Sequence, residues 1–467
     1  MKEKSKDKIS QKKIDCIIKI VDRWLDYQQF IKRISGLSVG IIYKNKIIFN
    51  KGYGFSNIEK KEKTTDKTLY RIASISKLFT AISIMQLAEA KKINLDDNAS
   101  KYLSWLNNKD KITLKQLLTH SSGINKDGNN PYWIDDDFPE IESIIKHVSD
   151  EAVISYPREK FKYSNLGYVL LGKIIEQVSK MTYKDYVEKN IIKKIGLKDT
   201  YVDIENKTNG KLAVGYGRDI PGFKREKFNV TSTKSIAPAA GFISNVNDLC
   251  KFMSAQFLTN NLLLKRKSKK EMQKIQLMEK TKDKTITWGL GYEIWKLEEV
   301  TLRGHGGGFP GFITQIAFDR EKEFGVALLT NSLDVDSFDL ADGIFHIIHY
   351  ILKNFDDFKK MKVKNTDLKK YEGRFYERWC DVEVIEINKS LNLFHPGNNM
   401  PLKEIYKLKP KKKNVFTIET GSKFDYIGEE AIFEFNKENK LNRMRIGSNI
   451  MIPFNNFIKS KKDYDLD

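Results

Sequence analysis

The chain has 467 residues, 40% of them hydrophobic, including 27 Phe and 20 Tyr. That is more than one hydrophobic core ordinarily holds, so two domains are expected. The 82 Lys and Arg outnumber 61 Asp and Glu for a net charge of +21, a balance that can attract nucleic acid or anionic lipid. The lysines are interleaved with acids, and the denser clusters at 2–13, 359–370 and 407–413 are short, as in tails, linkers or solvated hairpins. No nucleic-acid module is recognisable, and no specific nucleic-acid partner is expected.

In chain order, residues 1–14 form a basic tail with no apolar stretch behind it. Residues 16–25 alternate apolar and charged positions as an amphipathic helix, so neither a signal peptide nor a membrane span is read. Cys16, Cys250 and Cys380 are odd in number and far apart, which fits a reducing compartment better than a disulfide framework. A cytoplasmic location is the expectation. Runs 37–43 and 46–51, joined at Lys44-Asn45, predict a hairpin. It contains Gly36-Leu37-Ser38-Val39-Gly40, a match to the Gly-x-Ser-x-Gly nucleophile elbow. That motif needs a strand before its serine and a helix after it, and here the strand continues, so the match is read as chance.

The stretch Arg71-Ile72-Ala73-Ser74-Ile75-Ser76-Lys77-Leu78-Phe79-Thr80 opens a helix predicted to start at Ser74, with no charge from Leu78 to Ala88. It is too short for a bilayer, which needs about 20 apolar residues. Residues three apart share a helix face, so Lys77 can lie over Ser74. The serine N–H, in the first turn, has no intrahelical partner and sits at the positive end of the dipole. One segment thus offers a nucleophile, an amine and an oxyanion donor. The same pattern also describes an ordinary helix start with a solvated lysine.

Residues 114–119 read as a short helix. It ends at His120-Ser121-Ser122-Gly123, with Gly123 in a positive-φ turn and His120 hydrogen-bonding the loop. From 125 to 157 the chain reads as irregular, and Tyr132 and Trp133 in it suit either pocket lining or packing. Tyr163-Ser164-Asn165 lies in the entry to an apolar helix at 169–178, where Ser or Asn caps are ordinary. Pro238-Ala239-Ala240-Gly241 allows close backbone packing ahead of a capped helix at Asn247-Asp248-Leu249. The run Arg303-Gly304-His305-Gly306-Gly307-Gly308-Phe309 precedes strands at 313–319 and 324–330. Its glycines remove side chains where a substrate can lie along a strand edge. No phosphate loop is formed, because no Gly-Lys-Ser/Thr ending follows. His-Gly-Gly-Gly also suggests an α/β-hydrolase oxyanion loop, but it falls on the wrong side of the Gly36–Gly40 match. His346 and His349 share an apolar helix without further ligands, so packing is preferred to metal. No metal and no cofactor are expected.

Taken together, Ser74-Ile75-Ser76-Lys77, Tyr163-Ser164-Asn165 and His305-Gly306-Gly307 resemble, in order and spacing, the three motifs of the serine β-lactamase and penicillin-binding-protein superfamily. The nearest likeness is to its class C β-lactamase-like branch of esterases, D-aminopeptidases and peptidases. Leu117-Leu118-Thr119-His120-Ser121-Ser122-Gly123 and Pro238-Ala239-Ala240-Gly241 are also similar to that branch. The resemblance covers roughly residues 15–352. It implies an α/β (α+β) fold, an antiparallel sheet flanked by helices with an inserted all-helical lobe, and a site between them. It further implies that Ser74 attacks an acyl carbonyl, with Lys77 or Tyr163 as the base. Asn165 would hold the substrate, with His305, Gly307 and Gly308 along it and the Ser74 and Gly308 N–H groups as oxyanion hole. Ser76 and Ser164 are left as structural. The third motif has histidine where β-lactamases usually carry lysine, so the fixed charge that meets a substrate carboxylate is missing. Esterase or peptidase action on a small-molecule ester or peptide is favoured over penicillin hydrolysis. Residues 353–367 read as a charged linker. Strands at 371–376, 382–387, 391–394, 414–418, 431–435, 443–446 and 451–454 suggest a small antiparallel barrel over 368–467. It resembles the lipocalin-like domain appended to some members of the branch, and homo-oligomer formation is one role open to it. A non-catalytic binding or scaffold protein that keeps the fold is the alternative.

Overall fold

The computed structural model describes residues 9–106, 111–128, 131–151, 160–208, 210–282, 285–360, 367–376, 378–420 and 426–461. Contacts divide the chain into two compact units, residues 33–341 and residues 1–32 with 342–467. Together they form an α/β fold: an antiparallel sheet flanked by helices with a helical insertion, then a closed antiparallel barrel.

In the first unit, among the described residues, nine strands lie in the order Glu62–Lys63, Lys46–Asn57, Gly36–Tyr43, Phe324–Thr330, Phe312–Asp319, Val300–Phe309, Glu293–Leu297, Thr285–Trp288, Leu277–Lys280. The central strands are apolar along nearly their whole length because both faces are covered: every residue of Phe324–Thr330 is buried. At the edge, Leu277–Lys280 alternates half-buried with exposed. Ser38 lies inside Gly36–Tyr43, fully buried, donating to Thr65 O at 2.7 Å and 2.9 Å from the Tyr70 hydroxyl. The elbow-like match is therefore a strand interior.

The helix Ser76–Glu89 is buried on nearly every side, from Ser76 to Met85 and again at Leu87. A central helix packed all round needs no polar face. Against it packs Asn165–Ser179, N-capped by Ser164, whose Oγ accepts from Gly167 N at 2.9 Å. Leu114–Leu118 starts in a capping box of Thr113 and Gln116. Two local readings are corrected. Residues Ala73–Ile75 form a 3₁₀ turn and the α-helix starts only at Ser76. Within the stretch read as irregular, Ile141–Glu151 is a helix. Its apolar residues Ile141, Ile144, Ile145 and Val148 keep the i, i+3, i+4, i+7 spacing of an amphipathic helix. Ile144 and Val148 are buried in the core and Ile141 packs against it, so this helix is legible in the chain.

In the second unit the helix Gln11–Ile31 buries Ile17, Ile20, Val21 and Trp24 completely. Trp24 Nε1 donates to Asn398 O at 3.2 Å and Gln28 Nε2 to Pro396 O at 2.6 Å. The described residues from Gly373 to Pro453 close an eight-stranded antiparallel barrel. Its interior is filled by side chains, among them Phe375, Val384, Leu393, Phe416, Phe433 and Met444. Its fourth strand, Ile405–Lys412, occupies the stretch where the basic cluster suggested only a solvated hairpin. Tyr406 and Leu408 face inward, while residues 409–412 are exposed. The lysines hid the alternation. A helix, Phe454–Lys461, follows the last barrel strand.

Candidate active site

Three backbone devices present Ser74. The strand Tyr70–Arg71 pairs with Ile243–Ser244 and carries the chain into the core. Arg71, buried, donates to Asp203 Oδ1 at 2.7 Å and to Gly241 O at 2.5 Å. Ala73 then adopts φ +49°, a left-handed conformation unfavourable for a residue with a Cβ. Such strain persists only where the surroundings enforce it, and functional sites are where it collects. Ser76 locks the turn, donating to Ala73 O at 2.5 Å and accepting from Phe242 N at 3.0 Å. The result leaves Ser74 partly exposed and Lys77 wholly buried.

Lys77 Nζ has three partners: Asn165 Oδ1 at 2.7 Å, Ala239 O at 2.8 Å and Ser74 Oγ at 3.1 Å. Its hydrogen-bond partners are all uncharged, so burial dominates and holds its ammonium well below the ordinary lysine range. Tyr163 donates its hydroxyl to Ser74 Oγ at 2.8 Å. Burial pushes that phenol upward, away from the phenolate. The amine and the phenol thus both tend to be neutral at the serine.

Asn165, buried at the N-terminus of its helix, spends one end on Lys77 and the other on Asp127, to which Nδ2 donates at 2.6 Å. The same Asp127 oxygen accepts from the Tyr132 hydroxyl at 2.7 Å. Trp133, the next residue, packs edge-on against Phe309 at 5.7 Å.

An aromatic shelf backs Tyr163. His120 stacks on it at 4.3 Å between centroids, Trp288 lies 5.0 Å from His120, and His305 lies 5.4 Å from Trp288. Backbone partners set each imidazole's tautomer. Ser164 N donates to His120 Nδ1 at 3.1 Å, so the His120 proton is on Nε2. His305 Nδ1 faces Gly306 O at 2.6 Å and must donate, leaving Nε2 as the lone pair. Burial, then Lys77, lowers His305 to about 3, and it is neutral at physiological pH.

The strand Val300–Phe309 pairs with Phe312–Asp319 along most of its length, but among the described residues it pairs with Glu293–Leu297 only as far as Gly304. Beyond Gly304 its other edge is unpaired among the described residues. A Cβ on Gly307 would run into Thr314 Oγ1 and the carbonyl of Ile72, so glycine lets the strand close on the turn that carries Ser74. At Gly308 the Cβ position is open, with Ile313 Cδ1 3.8 Å away.

Of the residues singled out in the sequence, Ser74, Lys77, Tyr163 and Asn165 meet in hydrogen bonds, and His305 and Gly307 flank them. Ser164 and Ser76 serve as cap and turn lock. Sequence reasoning missed Asp127, Trp288 and the carbonyl of Ala239. Nothing in the chain's pattern marks a backbone oxygen, while Asp127 and Trp288 sit outside the three motifs. No helix among the described residues is long and apolar enough to cross a membrane.

The Beta-lactamase family model matches residues 21–348, and the chain belongs to that family. Membership supports, in general terms, acyl transfer through a serine acyl-enzyme. Among relatives, the chain is similar to Protein flp of Staphylococcus aureus strain MW2, 32% identical over 247 residues, 51% of this chain and 47% of that one. It is similar also to the teichoic acid D-alanine hydrolase of Staphylococcus aureus, 29% identical over 235 residues, 49% of this chain and 57% of that one. These matches span about half the length of the curated relatives. In fold, it is similar to an octameric penicillin-binding protein homologue from Pyrococcus abyssi, with TM-score 0.64 and 24% identity over 93% of this chain and 99% of that one.

Proposed function

We propose that this chain is a serine acyl hydrolase of the esterase, D-aminopeptidase and peptidase branch, acting on an ester or amide bond through an acyl-enzyme on Ser74. The observation that carries the reading is the contact of one serine oxygen with a buried amine at 3.1 Å and a phenol at 2.8 Å. A neutral lysine amine has two N–H donors and one lone pair. Asn165 Oδ1 and Ala239 O take the donors, which leaves the lone pair for the Ser74 hydroxyl. Lys77 is therefore the general base of the proposal, and Tyr163 stays a neutral phenol.

In the acylation step Ser74 Oγ bonds to the acyl carbon as its proton passes to Lys77. The C–O or C–N bond to the leaving group breaks, and that group leaves with a proton relayed from Lys77 through the Tyr163 hydroxyl. Water then adds to the acyl-Ser74 ester, gives its proton to Lys77, and Ser74 leaves protonated. The N–H groups of Ser74 and Gly308 serve as oxyanion donors, each worth about 3–4 kcal/mol in comparable sites. Neutral His305 offers no fixed cation for a substrate carboxylate, which argues against efficient β-lactam hydrolysis. The similarity to a teichoic acid D-alanine hydrolase suggests aminoacyl esters, especially of D-amino acids, as the first substrates to try. The barrel is proposed to be lipocalin-like and to shape access or self-association.

Incubation with a fluorophosphonate probe and mass mapping tests the reading. An adduct on Ser74 that is absent in Ser74→Ala is expected. A wild-type protein that takes up no probe and cleaves none of a panel of acyl esters, L- and D-aminoacyl substrates and a chromogenic cephalosporin is instead a non-catalytic scaffold.

A further inference from the structure

We infer that Asp127 is the positioning residue of this site: its carboxylate fixes the Asn165 amide and, through it, holds Lys77 against Ser74. The inference rests on the hydrolase reading above and extends it to a residue outside the three motifs. An ionised carboxylate only accepts, so the Asn165 atom 2.6 Å from Asp127 must be the NH₂ group. The opposite end, facing Lys77 at 2.7 Å, must then be the oxygen. With the amide turned over, an N–H would point at the lysine nitrogen and compete for the lone pair that Ser74 needs. Asp127 forbids that orientation.

Asp127 is itself held. Tyr132 donates to it at 2.7 Å, and the carbonyl of its neighbour Lys126 accepts from Asn165 N at 2.8 Å, tying the loop to the start of the helix. Its second oxygen lies 3.7 Å from Lys126 Nζ, beyond hydrogen-bond range.

The charge of Asp127 adds a second effect. The groups acting on Lys77 are Asp127 and Glu293, which favour its ammonium, and Lys126, which opposes it. Around them stand the neutral His120 and His305 and the rings of Tyr163 and Tyr168, 4.8 and 5.6 Å from Nζ. Asp127 is the largest contribution opposing burial. Removing its charge lets the amine lose its proton at lower pH, and an uncompensated Lys126 pushes the same way.

The test is the rate of fluorophosphonate labelling against pH. That reaction forms the Ser74 O–P bond, breaks P–F and sends the serine proton to Lys77. Asp127→Asn is expected to label about tenfold more slowly at its own optimum and to move the acid-side midpoint down by about one pH unit. Tyr132→Phe, which loosens the same loop without changing charge, is expected to keep the wild-type midpoint. Asp127→Glu keeps the charge but displaces the carboxylate, so its rate falls severalfold with the midpoint held. A wild-type rate and midpoint in Asp127→Asn, or the same midpoint shift in Tyr132→Phe, overturns the inference. If Asp127→Asn does not melt cooperatively, a wild-type rate in Asp127→Glu overturns it. A wild-type chain that never labels sinks the hydrolase reading itself, a different outcome from these.

Discussion

Each unit of this chain buries an ionisable side chain completely, and the two are held in opposite ways. Lys77, in residues 33–341, touches an amide oxygen, a backbone carbonyl and a serine hydroxyl, all uncharged. Glu383, in the barrel unit, faces two guanidiniums: Arg374 Nε donates to its Oε2 at 3.0 Å, and Arg23 pairs with its Oε1. Burial still raises the Glu383 carboxyl, but both arginines oppose the shift. Arg23 belongs to the helix Gln11–Ile31 and Arg374 to the strand Gly373–Tyr376, so the carboxylate ties a helix to the barrel wall. A buried charge ringed by opposite charges is a structural joint. One ringed by neutral dipoles has a shifted proton affinity, and that is useful for catalysis.

The largest expected effect is at Lys77. Lys77→Arg keeps a cation but cannot give up its proton at accessible pH. Labelling of Ser74 is expected to fall by about 10²–10⁴, with the melting temperature within a few degrees of wild type; an arginine variant that labels at the wild-type rate removes the general base from the scheme. The pH profile carries the same sign. Because burial lowers Lys77, the reactive free amine persists below the ordinary lysine range, and the labelling rate rises through that lowered value as pH increases. Linkage follows the same direction: the unfolded chain holds more protons at this site than the native one, so this group makes stability rise with pH between its lowered value and about 10.4. Urea melts across that window should show a positive difference in slope between wild type and Lys77→Met.

At Glu383 the expected loss is in folding instead of rate. Glu383→Ala strands two arginines that are themselves partly exposed, so the lower end of the range for breaking a buried pair applies, about 3 kcal/mol. Denaturant unfolding measures it, and the Ser74 labelling rate below the transition should stay within a factor of two of wild type. A large rate loss with full stability would erase the contrast between the two sites.

The smallest effects compare neighbouring glycines. Gly307→Ala puts a methyl into Thr314 and the Ile72 carbonyl, which forces the strand off the serine turn. A rate loss of about tenfold to a hundredfold is expected, below the roughly 10²–10³ that outright loss of an oxyanion donor costs. Gly308→Ala points into open space and keeps its N–H, so a change below about threefold is expected. Equal losses in the two variants would mean that the strand's approach at Gly307 does not matter.

Much of this molecule was legible in the chain. The hairpin at Gly36–Tyr43 and Lys46–Asn57, the buried helix after Ser74 and most barrel strands follow from apolar spacing and turn residues, which are local properties. The Ser-x-x-Lys pair was legible too, because three residues of helical rise bring the side chains together within one segment. The sequence left the base undecided between Lys77 and Tyr163. It also hid Ile405–Lys412 behind lysines and gave Asp127 no motif. These depend on the charge and distance of atoms far apart along the chain. Lys77 meets Ala239 across 162 positions and Asn165 across 88. Local pattern fixes which elements form, because propensity and periodicity act over a few residues. The surroundings of Lys77, and hence its proton affinity, were decided only when the fold excluded water and brought remote dipoles to the amine, since desolvation belongs to the assembled environment and to no single residue.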